Sequence, residues 1–406
     1  MKIVGLITEY NPFHNGHLYH IEKAKEVTGA DAAIVVMSGN FVQRGAPAIM
    51  PKHLRARCAL LSGASMVIEL PVCYATASAE YFASGAVALL DKLGIVDAVC
   101  FGSECGDIRI LKEIADILTE EPGEYQTALR DALKSGVSFP TAREKALAQY
   151  SHILAHPNNI LGIEYLKALK KLNSPMEAYT ICRAGAGYHD TAIDLGFCSA
   201  TAIREHMNGR ASMNEFSKLK KQIPKDCYAL MQETCGQRFP IQADDFSLLL
   251  KARLLTETPE SLTAYADISE ELANRIINRR NSFLSFEQFC RLLKTKELTY
   301  SRITRALFHI LLNITNEDIE NYRKTGYIFY IRILGFQKES AGLFSLIKSN
   351  TQIPLLTKLS GKNKLCTLGR QMLNTDIYAS DLYESVVTDK FKTPFLNERI
   401  QQIIKK

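Results

Sequence analysis

Four short apolar runs in the first half of this chain, rich in β-branched side chains and separated by stretches of helical period, limit the folds open to it. They are "KIVGLIT", "AAIVVMS", "MVIELP" and "AVCFGS". Helical patterns begin between them, near His17, Pro51 and Thr76. Strands that are apolar on both faces and joined by helices predict a parallel sheet covered on both sides, with ligands at the carboxyl ends of the strands. "YTICRAGAGYHD" predicts a fifth strand ending at Arg183, with Gly185 and Gly187 loosening the loop behind it.

The segments at those carboxyl ends carry the chemistry. "TEYNPFHNGHLYH", Thr8 to His20, sets His14, His17 and His20 three apart in a chain with 9 histidines. Asn11-Pro12 predicts a turn, and Asn15-Gly16 lets the backbone come close to whatever lies above it. From His17 the repeat Leu18, Ile21, Ala24 predicts a helix. The histidines therefore fall where a strand hands over to a helix N-terminus, whose free amides and dipole favour anions, phosphate above all. A zinc site would need further ligands and a glutamate base, but Asn and Gly stand between His14 and His17. Further on, "CSATAIREHM" offers Ser199 as a helix N-cap, followed by Thr201 and Arg204. Read alone, the first segment is also satisfied by a crowded helix face and the second by an ordinary capped helix with a solvent-facing arginine.

Other ends of the same sheet are less specific. Gly102 and Ser103 in "FGSECGD" let backbone approach adenine or ribose, and Glu104 and Asp107 suit a ribose or a magnesium ion; a plain turn explains them equally. In "PNNILG", Asn158 and Asn159 either cap a helix or bond a nucleotide. Arg183 serves a phosphate, a base or a surface ion pair. "SGNFVQRGAPA" reads as a long loop in which Arg44 is a lid or RNA contact, or only part of a surface connection. Arg55 and Arg57 read as helix-surface charges, and Glu69, at the end of an apolar strand, as a candidate for positioning substrate. Tyr10 and Phe13, beside the histidines, are candidate stacking surfaces for an extruded base, with a core role for Phe13 equally open.

Length and charge separate the two halves. At 406 residues the chain exceeds one compact unit, and two or three are expected. No window approaches the roughly 18 consecutive apolar residues of a membrane span, and the N-terminus enters a strand directly, so a cytoplasmic protein with no membrane partner is expected. The 10 cysteines include no C-x-x-C pair, which favours buried free thiols over zinc or disulfide frameworks. The net charge is +6, but residues 1–200 carry 18 basic and 21 acidic side chains while the remainder carries 31 and 22. Beyond about Ser212 the pattern is helical and basic. Leu272, Ile276 and Ile277 take one face of a helix with Arg275, Arg279 and Arg280 near another, and Arg302 and Arg305 sit on an otherwise apolar helix. Such a half suits either a phosphate backbone or plain solvation.

"HNGH" after a first strand resembles the H-x-G-H signature of the nucleotidylyl transferase superfamily, and "SATAIR" its second phosphate element. More narrowly, "GLITEYNPFHNGHLYH", "VVMSGNFVQRGAPA", "VIELP", "FGSECGD", "PNNILGIEYLKAL" and "SATAIR", in that order over about the first half, resemble the bacterial tRNA(Met) cytidine acetate ligase family. The resemblance implies an α/β fold: a Rossmann-like parallel sheet of the HIGH nucleotidylyl transferase type at 1–211, then a mainly helical, basic, tRNA-binding domain at 212–406. It implies that acetate and ATP give acetyl-adenylate and pyrophosphate, and that the wobble cytidine of elongator tRNA(Met) then takes the acetyl group as N4-acetylcytidine. His14, His17, Ser199 and Arg204 would be catalytic. ATP would be held by Ile7, Thr8, Glu9, Tyr10, Asn11, Pro12, Phe13, His14, Asn15, Gly16, His17 and His20, with Gly102, Ser103, Glu104, Asn158, Asn159, Arg183, Ser199 and Thr201. RNA contacts would fall at Arg44, Arg275, Arg279, Arg280, Arg302 and Arg305. Magnesium would assist, with no protein metal site, no zinc and no acetyl-CoA. The rivals are a coenzyme-type adenylyltransferase acting on a small phosphorylated substrate, and a non-enzymatic RNA-binding factor.

Overall fold

The structure is a computed structural model that describes residues 1–137, 139–183, 198–207 and 216–406. Its strands are β1 (Ile3–Thr8), β2 (Ala32–Ser38), β3 (Phe41–Val42), β4 (Ala46–Pro47), β5 (Met66–Leu70), β6 (Ala98–Ser103), β7 (Glu177–Cys182), β8 (Ile331–Phe336), β9 (Leu355–Leu356) and β10 (Ile404–Lys405). The main sheet runs β10-β8-β5-β2-β1-β6-β7, and β5, β2, β1, β6 and β7 are mutually parallel. All five strands expected from the sequence are there. Gly185 and Gly187, the expected hinge behind β7, lie outside the described residues.

The reason β1, β2 and β5 read as unbroken apolar runs is that each is buried at every position. On one face Ile34, Val36 and Ile68 pack in a core with Phe82, Leu89 and Leu90 of the Ala79–Leu93 helix. On the other, Val35, Met37 and Val67 share a core with Ile21 and Ala24 of the Asn15–Thr28 helix and Cys58 and Ala59 of the Lys52–Leu61 helix. With helices on both faces, ligands have access only at the strand ends, where the "HNGH" segment lies.

Two expectations change. The boundary at 211/212 does not separate the sheet from the helices, because β8 pairs antiparallel with β5 (Met66 opposite Phe336, Glu69 opposite Arg332) and β10 runs parallel to β8. "IRILGF" is short and lies among helical segments, and its partner strand is far away in sequence, so local period alone does not place it in the sheet. Glu69, expected to position substrate, is instead buried in an ion network: Lys52 Nζ is 2.6 Å from it and Arg332 3.2 Å, while Lys52 also reaches Glu398 at 2.8 Å. Four charges that no single segment could shelter are paired where the first half meets the chain's end.

"SGNFVQRGAPA" is likewise not a free loop. It holds the β3–β4 ribbon, and Thr304 Oγ1 donates to the Arg44 carbonyl at 2.7 Å. Gly45, at φ +67, approaches the Tyr300–Leu312 helix so closely that a Cβ there would fall 2.3 Å from the Arg305 nitrogen.

Candidate functional site

The turn from β1 into the Asn15–Thr28 helix fixes both motif histidines through their own side chains. His14 is the N-cap, and its Nδ1 accepts from the Gly16 amide at 3.1 Å. His17, one turn on, accepts from the His14 amide through its own Nδ1 at 3.3 Å, completing a reciprocal capping box. A neutral imidazole that accepts at Nδ1 carries its proton on Nε2, so both rings present an Nε2–H donor away from the helix. The rings lie 3.7 Å apart between centroids. His14 Nε2 is buried without a partner, a donor poised for an acceptor of its own.

The surroundings are cationic. Burial, then the charges of Arg183 and Arg204, lower His14 to about 3. Burial, then His14, Arg183, His20 and Arg204, hold His17 well below its ordinary range. Burial and Arg183 bring His20 to about 4 despite an opposing bond to the Cys100 backbone, and its Nε2 is a second unpartnered buried nitrogen. Around neutral pH three uncharged imidazoles therefore face two guanidinium groups, an arrangement that favours a bound anion and leaves the rings able to donate.

The second motif closes on the first. Ser199 caps the Ala200–His206 helix by accepting from the Ala202 amide at 3.1 Å. Arg204 donates to the Asn11 carbonyl at 2.6 Å and to Thr201 Oγ1 at 3.0 Å, so it is not the solvent-facing arginine of the simpler reading. Gln222, absent from the sequence reading, joins the two motifs: its carbonyl oxygen accepts from the Asn15 amide at 2.9 Å and its side chain from the Cys198 amide at 3.0 Å. No local signal marks it, because its role exists only when both motifs are already adjacent.

Several expected ligands turn out to bond one another. Ile7 belongs to the core, and Thr8 ends β1. Glu9 accepts from the Gln43 amide at 2.8 Å and Asn11 from the Ile49 amide at 2.7 Å. Tyr10 and Phe13 are fully buried, with ring centroids 4.8 Å apart and Tyr10 edge-on to His17, so they are the wall behind the histidines rather than stacking surfaces for a base. Pro12 is buried beside them. Glu104 caps the Pro157–Lys171 helix by accepting from the amides of Asn158 and Asn159 and from the Asn158 side chain at 2.6 Å. Asn159, fully buried, returns bonds to the amides of Glu104 and Cys105. Ser103 Oγ meets Thr180 Oγ1 at 2.7 Å and accepts from Gly106. Asp107 pairs with Arg109 at the surface. A Cβ on Gly102 would stand 3.2 Å from the Arg183 side chain, so this glycine lets Arg183 lie across the end of β6.

Arg55 overturns its reading as a surface charge, while Arg57 is exposed. Arg55 is 0% exposed and donates to the carbonyls of Met50, Glu9, Ser38 and Gly39, tying the ends of β1 and β2 together beneath the site. The arginines expected on RNA are mostly engaged within the protein. Arg275 donates to the carbonyls of Leu292 and Leu293, Arg280 to those of Leu254 and Glu257, and Arg302 to that of Asp267. Arg305 pairs with Asp267 at 2.8 Å. Arg44 and Arg279 are exposed. Among the described residues no three His, Cys, Asp or Glu side chains gather where they could hold a metal ion, and no helix is long and apolar enough to cross a membrane.

Comparison with known proteins agrees with this geometry. The sequence profile of the family described as HIGH Nucleotidyl Transferase matches residues 1–398. A tRNA(Met) cytidine acetate ligase of Acetivibrio thermocellus is 42% identical over 392 residues, 94% of each chain. One from Thermoanaerobacter sp. is 43% identical over 391 residues, 94% of this chain and 95% of its own. The crystal structure of Thermotoga maritima TmcAL bound with alpha-thio ATP superposes with a TM-score of 0.91 at 33% identity, covering 100% of this chain and 99% of that one. Identity of this extent over nearly the full length, on a sheet with the "HNGH" segment after its first strand and "SATAIR" bonded to that segment through Arg204, places the chain in the HIGH nucleotidyl transferase family and, within it, among the tRNA(Met) cytidine acetate ligases.

Proposed function

We propose that this chain activates acetate with ATP and transfers the acetyl group to the wobble cytidine of elongator tRNA(Met). The observation that carries the reading is the pair of Nε2–H donors of His14 and His17 at a helix N-terminus, facing Arg204 from the second motif. In the first step an acetate oxygen attacks the α-phosphorus of ATP, the bond to the β-phosphate oxygen breaks, and negative charge builds on the departing pyrophosphate. Donors already aimed at that charge stabilise it without having to reorganise. His14 and His17 supply two, the N-terminus of the Asn15–Thr28 helix adds its dipole, and Arg183 and Arg204 supply full charges. In the second step the N4 amine of cytidine attacks the acetyl carbonyl, AMP leaves, and the amine loses a proton. The mixed anhydride supplies the driving force, and the protein positions the two reactants.

Glu104, Asn158 and Asn159, held by their mutual bonds, would frame the adenosine, with Ser103 and Gly102 offering backbone to it. The family resemblance brings magnesium with the triphosphate. Among this chain's described residues no His, Cys, Asp and Glu cluster forms a cage for it. A cytoplasmic location fits a tRNA substrate.

The test uses purified protein, ATP, magnesium, radiolabelled acetate and bulk bacterial tRNA, read as acid-insoluble label. Label that requires ATP and falls about 100-fold or more in His17→Ala is expected, the scale on which loss of a preorganised donor acts. Absence of label, with pyrophosphate released when small phosphorylated coenzyme precursors are supplied, would replace this reading with a coenzyme adenylyltransferase.

A further inference from the structure

The segment from Phe216 to Lys225, "FSKLKKQIPK", joins the two phosphate motifs and carries lysines at 218, 220, 221 and 225. Its apolar residues determine which way those lysines point. Phe216, Leu219 and Ile223 are buried at 1%, 0% and 3% exposure, in the same core as Ile21 and Ile203 from the two motif helices, and Phe216 stacks on Tyr228 with centroids 5.0 Å apart. With those side chains turned inward, Lys220, Lys221 and Lys225 stand in solvent, and none has an ion pair or side-chain hydrogen bond among the described residues. The segment is held at the site by backbone: Asn15 donates its amide to the Gln222 carbonyl and its side chain to the Lys221 carbonyl, each at 2.9 Å. Lys221 is thus one hydrogen bond away from the residue that follows His14.

We propose that Lys220, Lys221 and Lys225 form a strip that binds the sugar-phosphate backbone of the tRNA beside the reacting cytidine. The inference rests on the proposed ligase activity and adds the surface that seats its RNA. Three unpaired cations on a segment anchored beside the site by its hydrogen bonds to Asn15 suit a polyanion that must present one base there. The contrast with Arg275, Arg280, Arg302 and Arg305 is direct, since those side chains are already bonded within the protein.

The test is equilibrium binding of bulk bacterial tRNA to the full chain over a salt series, for wild type, the triple variant K220Q/K221Q/K225Q and the charge-keeping K220R/K221R/K225R. The glutamine variant is expected to weaken binding about tenfold or more at low salt and to reduce the slope of log Kd against log salt by about 2, three lost contacts at about 0.7 each. The arginine variant is expected to stay near wild type, which a folding defect at these positions would not predict. Unchanged affinity and slope in the glutamine variant would overturn the strip. So would a loss of ATP affinity with tRNA affinity intact, which would assign the lysines to the triphosphate. Binding requires no turnover, so failure of the ligase reading would appear separately, as absent acetate label in the wild type.

Discussion

Replacing Arg55 by methionine keeps an unbranched apolar stem and removes four hydrogen bonds, to the carbonyls of Met50, Glu9, Ser38 and Gly39. Three of these lie in buried surroundings, and the one to Glu9 is partly buried, where water can replace the guanidinium. At the lower end of the range for a charge-assisted bond, about 1.5 kcal/mol for each of the three, the loss is roughly 4.5 kcal/mol. Part of it is offset, because burial, against the opposing pull of Tyr383, Glu9 and Glu69, brings the Arg55 guanidinium down to about 10, and removing a poorly solvated charge relieves that cost. The net expectation is a destabilisation of about 2 to 4 kcal/mol. It would be measured by equilibrium urea unfolding followed by far-ultraviolet circular dichroism. Glu9 leads directly into the turn that sets His14, so ATP affinity should fall as well, by about tenfold, one factor of RT ln 10 for a displaced donor. Arg55→Lys should recover only part of either effect, because an ammonium has three donors and no planar fork. A change within about 0.5 kcal/mol, together with unaltered ATP affinity, would refute the claim that this buried arginine holds the site's floor.

Two further outcomes follow from the same geometry. In the free protein the folded state keeps His14 and His20 neutral down to about 3 and about 4, whereas unfolded imidazoles protonate near their ordinary value. Their contribution is therefore complete above about pH 6.5 and lost as pH falls from there towards 3. His14→Gln should flatten the stability-versus-pH curve by close to one proton in that window, and an unchanged slope would contradict the assignment. Asn159→Ala removes bonds to the amides of Glu104 and Cys105 and to the Ile153 carbonyl at a fully buried position, which should destabilise by about 2 to 4 kcal/mol and weaken ATP binding. Asn158→Ala, which loses only the side-chain bond to Glu104, should do less in the same unfolding and ATP-binding measurements.

The parts of the site visible beforehand are those whose chemistry is local. Histidines at the handover from strand to helix, and a serine ahead of a short helix, state their positions within one turn of backbone: the helix starts at Asn15, and Ser199 is an N-cap as expected, while the cap made by His14 itself was not foreseen. Residues whose role depends on distant partners were misread or missed. Arg55 and Arg57 look alike in "LRARCALL", yet a helix turns them to opposite sides, one under the strand ends and one into water. Glu69 was unusual for its strand, but its pairing with Arg332, and that of its nearer partner Lys52 with Glu398, depends on segments from the far half of the chain.

The five parallel strands and the starts of the "HNGH" and "SATAIR" helices are legible in the sequence, because burial on both faces and helix capping write their signatures over a few consecutive residues. Folding alone brings β8 and β10 to complete the sheet, sets Arg55 and Gln222 to brace the site, and leaves Lys220, Lys221 and Lys225 among the described basic residues standing unpaired beside it. Those outcomes depend on which distant hydrogen-bond and ion-pair partners the folded chain brings within reach, and that information is not carried by any local period.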